Sequence, residues 1–334
     1  MINYELFKKA ITERILDYMP EEYQNSQVDI HSISKVNQTL DGLHIVPLDE
    51  RSTLATPTIY LNSMYEQYQA CNDMDKVLRE AADSIEKAIQ QAPDAFSMLN
   101  FDSAKDNIIM QLVNTEQNKG MLENMPHRAF QDLSIIYRWL IDVDLEGISS
   151  TMVNTMLAEK LGMDEEQLFQ VAQVNTKILL PPTIKSMNEV IRDMFMKDGM
   201  PGDLVDMMIG EMPEDRVMYV ISNERGVNGA ASMLYEEGLH GLAEKLDSDL
   251  YIMPSSVHEV IAVSVNAGNP NELAQMVAEI NMDQVSLDER LSNQVYHYDK
   301  DLRKLSLATD TPNKRLDGIV AEPKLVYDSK NQFR

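Results

Sequence analysis

The stretch Asp249–Val265, DLYIMPSSVHEVIAVSV, sets two apolar runs on either side of a short polar connection that begins at Pro254. Runs rich in Ile and Val and bounded by a proline and serines read as two strands. The connection also gathers Ser255, Ser256, His258 and Glu259, so hydroxyl, imidazole and carboxylate crowd between two buried elements. These two strands anchor the reading of the fold.

Working outward, RVMYVISN and NGAASMLY look like an earlier hairpin turning at Glu224 to Gly226, followed by a helix through EEGLHGLAEKL. Downstream, Asn269 and Pro270 start a helix through ELAQMVAEIN. Residues 217–308 thus read as a strand-strand-helix-strand-strand-helix unit. Residues 309–334 show no sustained periodicity and are expected to be a disordered tail.

Toward the N-terminus, residues 1–105 read as an amphipathic helix, a meander of three strands (QVDIHSISKV, LDGLHIVPL, TPTIYLNSMY) and covering helices. The apolar stripes Tyr60, Met64, Tyr68 and Val77, Leu78, Ala81, Ile85 mark those helices. Residues 106–196 continue with the strand NIIMQLVN, a second strand within PHRAFQDLSIIYRWLIDVD, and helices punctuated by Gly162, Asp164 and Pro181 to Pro182. Residues 197–216, rich in Gly, Pro, Met and acid, read as a linker or flap. The expected class is α+β, with mixed or antiparallel sheets and covering helices.

Charge narrows the function. Across 334 residues, 54 acidic side chains face 29 basic ones, a formal charge of −25. That field repels phosphate backbones and anionic lipid, which argues against direct nucleic-acid binding and against membrane docking. Cys71 is the only cysteine, which excludes an intrachain disulfide and fits a reducing, cytoplasmic compartment. No apolar run approaches the ~20 residues of a membrane helix.

Four phrases carry a resemblance: PTIYLNSMYEQY (57–68), MPHRAFQDLSIIY (125–137), NGAASMLY (228–235) and DLYIMPSSVHEVI (249–261). Together they resemble a family of bacterial proteins known only as a domain of unknown function, found largely in gut-dwelling Gram-positive bacteria and often near mobile elements. The resemblance implies a bacterial cytosolic protein and supplies no activity.

Several side-chain groups are candidates for chemistry. A hydroxyl nucleophile needs a base and an orienting carboxylate, so Ser255 or Ser256 with His258 and Glu259 form the local catalytic set. If the strand continues through the connection, Ser256 and His258 fall on one face and Glu259 on the other, and no G-x-S-x-G elbow is present, so a structural turn is preferred. His258-Glu259 begins like H-E-x-x-H, but Ala262 stands at the second ligand position, so no zinc motif exists. Glu236, His240 and Glu244 share a helix face, where solvated charge is the commoner reading; His31 and His44 lack a third ligand. No metal site and no cofactor is expected. For binding, His127 and Arg128 stand at a strand entrance, and Arg128 would either clamp an anion or pair with an internal acid, the preferred reading. Met207 and Met208 belong to a methionine cluster between Met187 and Met212, read first as irregular core and second as an adaptable interface.

The leading expectation is a non-enzymatic protein-interaction or regulatory protein with an unidentified protein partner. The alternatives are an acidic mimic that occupies a nucleic-acid-binding protein, and a hydrolase centred on Ser255 to Glu259.

Overall fold

The computed structural model describes residues 1–46, 58–91, 101–143, 148–209, 217–311 and 316. Among the described residues the chain is α+β with three antiparallel sheets. It divides into two compact units.

Unit 1 comprises Met1–Met110, Asn118–Arg128 and Ile136–Leu179. Helix α1 (Tyr4–Arg14) opens on Asn3, whose side chain accepts the Leu6 amide at 2.9 Å. Its apolar stripe, Phe7 and Ile11, is fully buried, as the spacing requires. Strands β1 (Gln27–Lys35) and β2 (Gln38–Val46) form a hairpin closed by Asn37 at φ 62°, a backbone conformation that Asn tolerates.

The third strand, β3 (Ile59–Tyr60), is two residues long, and the expected continuation through LNSMY is helical. From Leu61 the apolar residues Leu61, Met64 and Tyr68 recur at helical spacing and are buried, which commits the chain to α2 (Leu61–Cys71). Helix α3 (Met74–Gln91) adds Val77, Leu78 and Ile85 to the same core, built on Phe7, Ile11, Leu43 and Ile45.

The next sheet contains β4 (Ile108–Asn114), β5 (His127–Phe130), β6 (Leu133–Val143) and β7 (Ile148–Met152), in the order β4-β6-β5 with β7 on β6; α4 (Lys119–Leu122) lies between β4 and β5 in sequence. The residues of β4, β5 and β6 are divided between the units. Gln131 at φ 56° separates β5 from β6. Helix α5 (Thr155–Leu161) ends at Gly162, φ 64°, a left-handed cap that glycine adopts without steric cost. Asp164 and Gln167 cap α6 (Glu165–Leu179) reciprocally, each side chain accepting the other's amide at 3.0 Å or less.

Unit 2 comprises Gln111–Gln117, Ala129–Ile135 and the chain from Leu180 onward. Its elements are β8 (Pro182–Ser186), α7 (Met187–Lys197), α8 (Gly202–Ile209), β9 (Tyr219–Asn223), α9 (Glu236–Leu246), β10 (Leu250–Met253), β11 (Val260–Ser264), α10 (Pro270–Gln284), β12 (Tyr296–Asp299) and β13 (Lys304–Leu307). The six strands run in the order β13-β12-β10-β11-β9-β8. The decisive hairpin is its centre: β10 pairs β11 from Leu250↔Ser264 to Met253↔Ile261.

Three expectations change in unit 2. The division falls at Leu179 to Leu180, not near 196, because Pro182–Ser186 pairs with Tyr219–Asn223 and so belongs to the later sheet. The expected linker 197–216 holds α8, packed on α7; residues 210–216 lie outside the described residues. NGAASMLY forms no strand: Gly229–Leu234 is a buried 3-10 helix, entered through Asn228 at φ 52°. Its Gly and Ala residues lack the branched side chains that favour an extended chain.

The expected tail also begins differently. Thr309 is buried, accepts the Val295 amide at 2.9 Å and donates to Gln294 Oε1 at 2.9 Å. Leu316 is buried as well, its carbonyl accepting from Arg290 at 2.6 Å. Residues 312–315 and 317–334 lie outside the described residues. Among the described residues no helix is long and apolar enough to cross a membrane.

Candidate functional site

The Pro254–Glu259 connection is built from backbone bonds to its neighbours. The Val257 amide donates to the Glu289 carbonyl at 2.8 Å, and the amides of Leu291 and Ser292 donate to the carbonyls of Ser255 (2.9 Å) and Pro254 (2.8 Å). On its other side the Ala230 amide donates to Val257 at 3.2 Å, and Ser222 Oγ donates to the His258 carbonyl at 2.7 Å. The 3-10 turn comes this close because residue 229 is glycine. A Cβ there would collide with Ser222 Oγ and the His258 carbonyl, and would stand 2.9 Å from the Asn223 nitrogen.

The four polar residues gathered by the sequence face different partners. Ser256 is buried, and its Oγ accepts the His258 amide at 3.0 Å, a local bond that shapes the turn. His258 Nδ1 accepts the Asn228 amide at 3.3 Å, which assigns the ring proton to Nε2; Nε2 stands 3.5 Å from Glu289 Oε1. The lone pair a general base would use is therefore capped by an amide. Among the described residues neither serine hydroxyl bonds to the imidazole.

Glu259 is half-buried and has no hydrogen-bond partner among the described residues. Burial pushes its carboxyl above the ordinary range; the nearby His258 opposes that shift and Glu289 adds to it. Continuing the alternation of β11 places Glu259 on the same face as Ile261 and Val263.

That face opens on an apolar groove of about 570 Å³. Its floor is Met218, Met253, Ile261 and Val263, and its wall is the α10 stripe Leu273, Met276, Val277 and Ile280, with Ser255 at the margin. Val277 and Ala274 turn into the core with Met253, Val263 and Val295. Met276 and Ile280 do not: they remain 52% and 45% exposed. Sequence reasoning passes over the groove, although ELAQMVAEINM carries more apolar positions than one buried stripe of a helix uses.

The remaining candidates lie elsewhere. Arg128 is clamped by Glu165 (3.0 and 2.8 Å) and by Glu166, its guanidinium 3.9 Å above the Phe169 ring. Glu165 resists the upward push of burial, because hydrogen bonds from Arg128 and Tyr137 hold it below its usual value. His127 is exposed, with Nδ1 2.9 Å from the Met125 carbonyl. On α8, Met207 and Met208 are exposed, not core. His31 and His44 meet edge to face at 5.2 Å.

On α9, Glu236 is engaged by Arg303 and Tyr298, leaving His240 with Glu244 at 3.4 Å. Among the described residues no group of three His, Cys, Asp or Glu side chains could hold a metal ion. A further knot is invisible in the sequence: Asp132 accepts from Ser292 Oγ at 2.6 Å and from Tyr296, far apart in the chain.

Fold and site together define an antiparallel α+β protein whose Ser256 hydroxyl and His258 lone pair are spent on a turn, beside an open apolar groove. The sequence model of the family of unknown function DUF5688 matches residues 4–300, and the chain belongs to that family. All four phrases of the resemblance fall within the match. No curated protein and no solved structure matches the chain.

Proposed function

We propose that this chain is a non-enzymatic interaction protein of the bacterial cytosol, which binds a partner protein through the groove of unit 2. The observation that carries this reading is the pair Met276 and Ile280, apolar side chains on a well-formed helix that stay half-exposed over an apolar floor. Apolar surface gathered in a concave face, unlike a lone exposed Leu, marks a recognition site. Met207 and Met208, 82% and 65% exposed on α8, offer a second surface whose flexible thioethers adapt to varied partners. The turn geometry supports the same reading, since its imidazole lone pair and buried hydroxyl are both occupied by amides.

The test is affinity capture from native lysate with the full chain and with Met276→Asp/Ile280→Asp. A partner retained by the first bait and lost from the second supports the groove. Stoichiometric fluorophosphonate labelling of Ser255 or Ser256, abolished by His258→Ala, would instead establish a hydrolase.

A further inference from the structure

The groove has dimensions, and they select its occupant. Its floor runs from Met253 on β10 across Ile261 and Val263 on β11 to Met218, which immediately precedes the neighbouring β9. Two inter-strand spacings make about 10 Å, close to the diameter of one helix with side chains. Its wall runs from Leu273 to Ile280. At ~1.5 Å per residue that is roughly two helical turns, the reach of anchors at i, i+3 or i+4, and i+7.

Charge then selects the kind of helix. At about 100° per residue, Glu272, Glu279 and Asp283 lie along one flank of α10, beside Met276. None of these three carboxylates has an ion-pair partner among the described residues. Some acids of unit 2 are matched, Glu236 by Arg303, Asp247 by Lys300 and Asp193 by Lys185, whereas α10 carries no Lys or Arg to match its own. An apolar trough edged by unmatched carboxylates complements a helix with an apolar stripe and basic margins.

We propose that the groove receives a basic amphipathic helix of a partner protein, its apolar stripe on Ile261, Met276 and Ile280 and its Lys or Arg side chains on the carboxylates flanking α10. This assignment rests on the interaction function proposed for unit 2 and names the class of partner.

Three fluorescent peptides of about five turns test it against the full chain by anisotropy: an amphipathic Leu/Lys helix, the same composition scrambled, and a Leu/Glu helix of the same pattern. The Leu/Lys helix is expected to bind at least about tenfold tighter than either control. Met276→Asp/Ile280→Asp should weaken it by about tenfold or more, although the variant adds two negative charges. Glu272→Gln/Glu279→Gln/Asp283→Asn should weaken it by about threefold to tenfold at low salt, with the difference shrinking as salt rises.

Unchanged or tighter binding by the Met276 and Ile280 variant would show mere adsorption on an acidic surface and overturn the proposal. A tenfold gain on ending the chain at Leu316 would make residues 317–334 the occupant. A dimer abolished by the same two aspartates would make the occupant a second copy. If the Leu/Lys helix shows no preference while lysate capture still depends on Met276 and Ile280, the interaction reading stands and the basic helix falls. If capture does not depend on them either, both fall.

Discussion

At the scale of single residues, the Pro254–Glu259 turn separates two serines that the sequence presents as equivalents. Ser256 is buried and its Oγ accepts the His258 amide, whereas the Ser255 side chain has no hydrogen bond among the described residues. Ser256→Ala should therefore lower the denaturation midpoint by the equivalent of about 1–3 kcal/mol, the cost of a buried amide left unpaired. Ser255→Ala should lie within about 0.5 kcal/mol of the wild type. Equal losses would show that the turn is held in some other way. Glu259 gives a prediction of opposite sign. Its carboxyl is raised in the folded chain, chiefly by burial, so the folded state holds the proton more tightly than the unfolded one. Stability therefore falls as pH rises from the ordinary carboxylate value through the folded one, and the ionised group is a liability at neutral pH. Glu259→Gln should raise the melting temperature at pH 7, and the gain should fade as pH falls through the raised folded value toward the ordinary carboxylate value of 4.5, below which it is gone. A gain that persisted undiminished about one pH unit below that value would remove ionisation as its cause.

Between elements, the contact of the 3-10 helix Gly229–Leu234 with the Pro254–Glu259 turn depends on a missing side chain. Gly229→Ala should destabilise unit 2 by about 1–3 kcal/mol, because the added methyl meets backbone on two sides and cannot be relieved by rotating a side chain alone. Adding Ser222→Ala should not restore the wild-type midpoint, since the His258 carbonyl and the Asn223 nitrogen still crowd the site. Full restoration would place the whole clash on the serine hydroxyl. The same contact shows what a sequence can reveal about elements. The β10–β11 hairpin is legible because Ile and Val runs flank a proline, and α5 and α6 because Gly162 and Asp164 carry recognisable cap chemistry. NGAASMLY reads as a strand from its sequence and folds as a turn, because that turn is set by packing against residues about thirty positions away. The groove escapes for a related reason. Val277 and Met276 are both apolar on α10, and only the sheet beneath decides that one is buried and the other half-exposed.

For the molecule as a whole, the charge of −25 and the α+β class are legible because both are sums over many residues. The division of the chain is not, because it depends on non-local pairing: β8 is placed by β9, across the intervening α7 and α8. The region after β13 shows the same limit. Periodicity fades after Ala308, yet unit 2 uses the residues beyond it. Gln294 is 2% exposed, and its Oε1 accepts from Thr309 Oγ1 at 2.9 Å and from the Thr311 amide at 3.0 Å. The buried Val295 amide donates to Thr309 Oγ1, and Leu316 is held by Arg290 through its carbonyl and by Gln117 Oε1 at its amide, 3.2 Å away. Sparse polar closures of this kind leave no hydrophobic period to read. A chain ending at Ala308 should therefore melt lower than one ending at Leu316, by the equivalent of about 3 kcal/mol or more, since it leaves the Val295 amide and the Gln294 amide group buried without partners. Restoring only Thr309 should recover part of that loss, and restoring Thr311 a further part. Equal melting temperatures for the chains ending at Ala308 and Leu316 would show that residues 309–316 contribute nothing to unit 2 beyond the strand that precedes them.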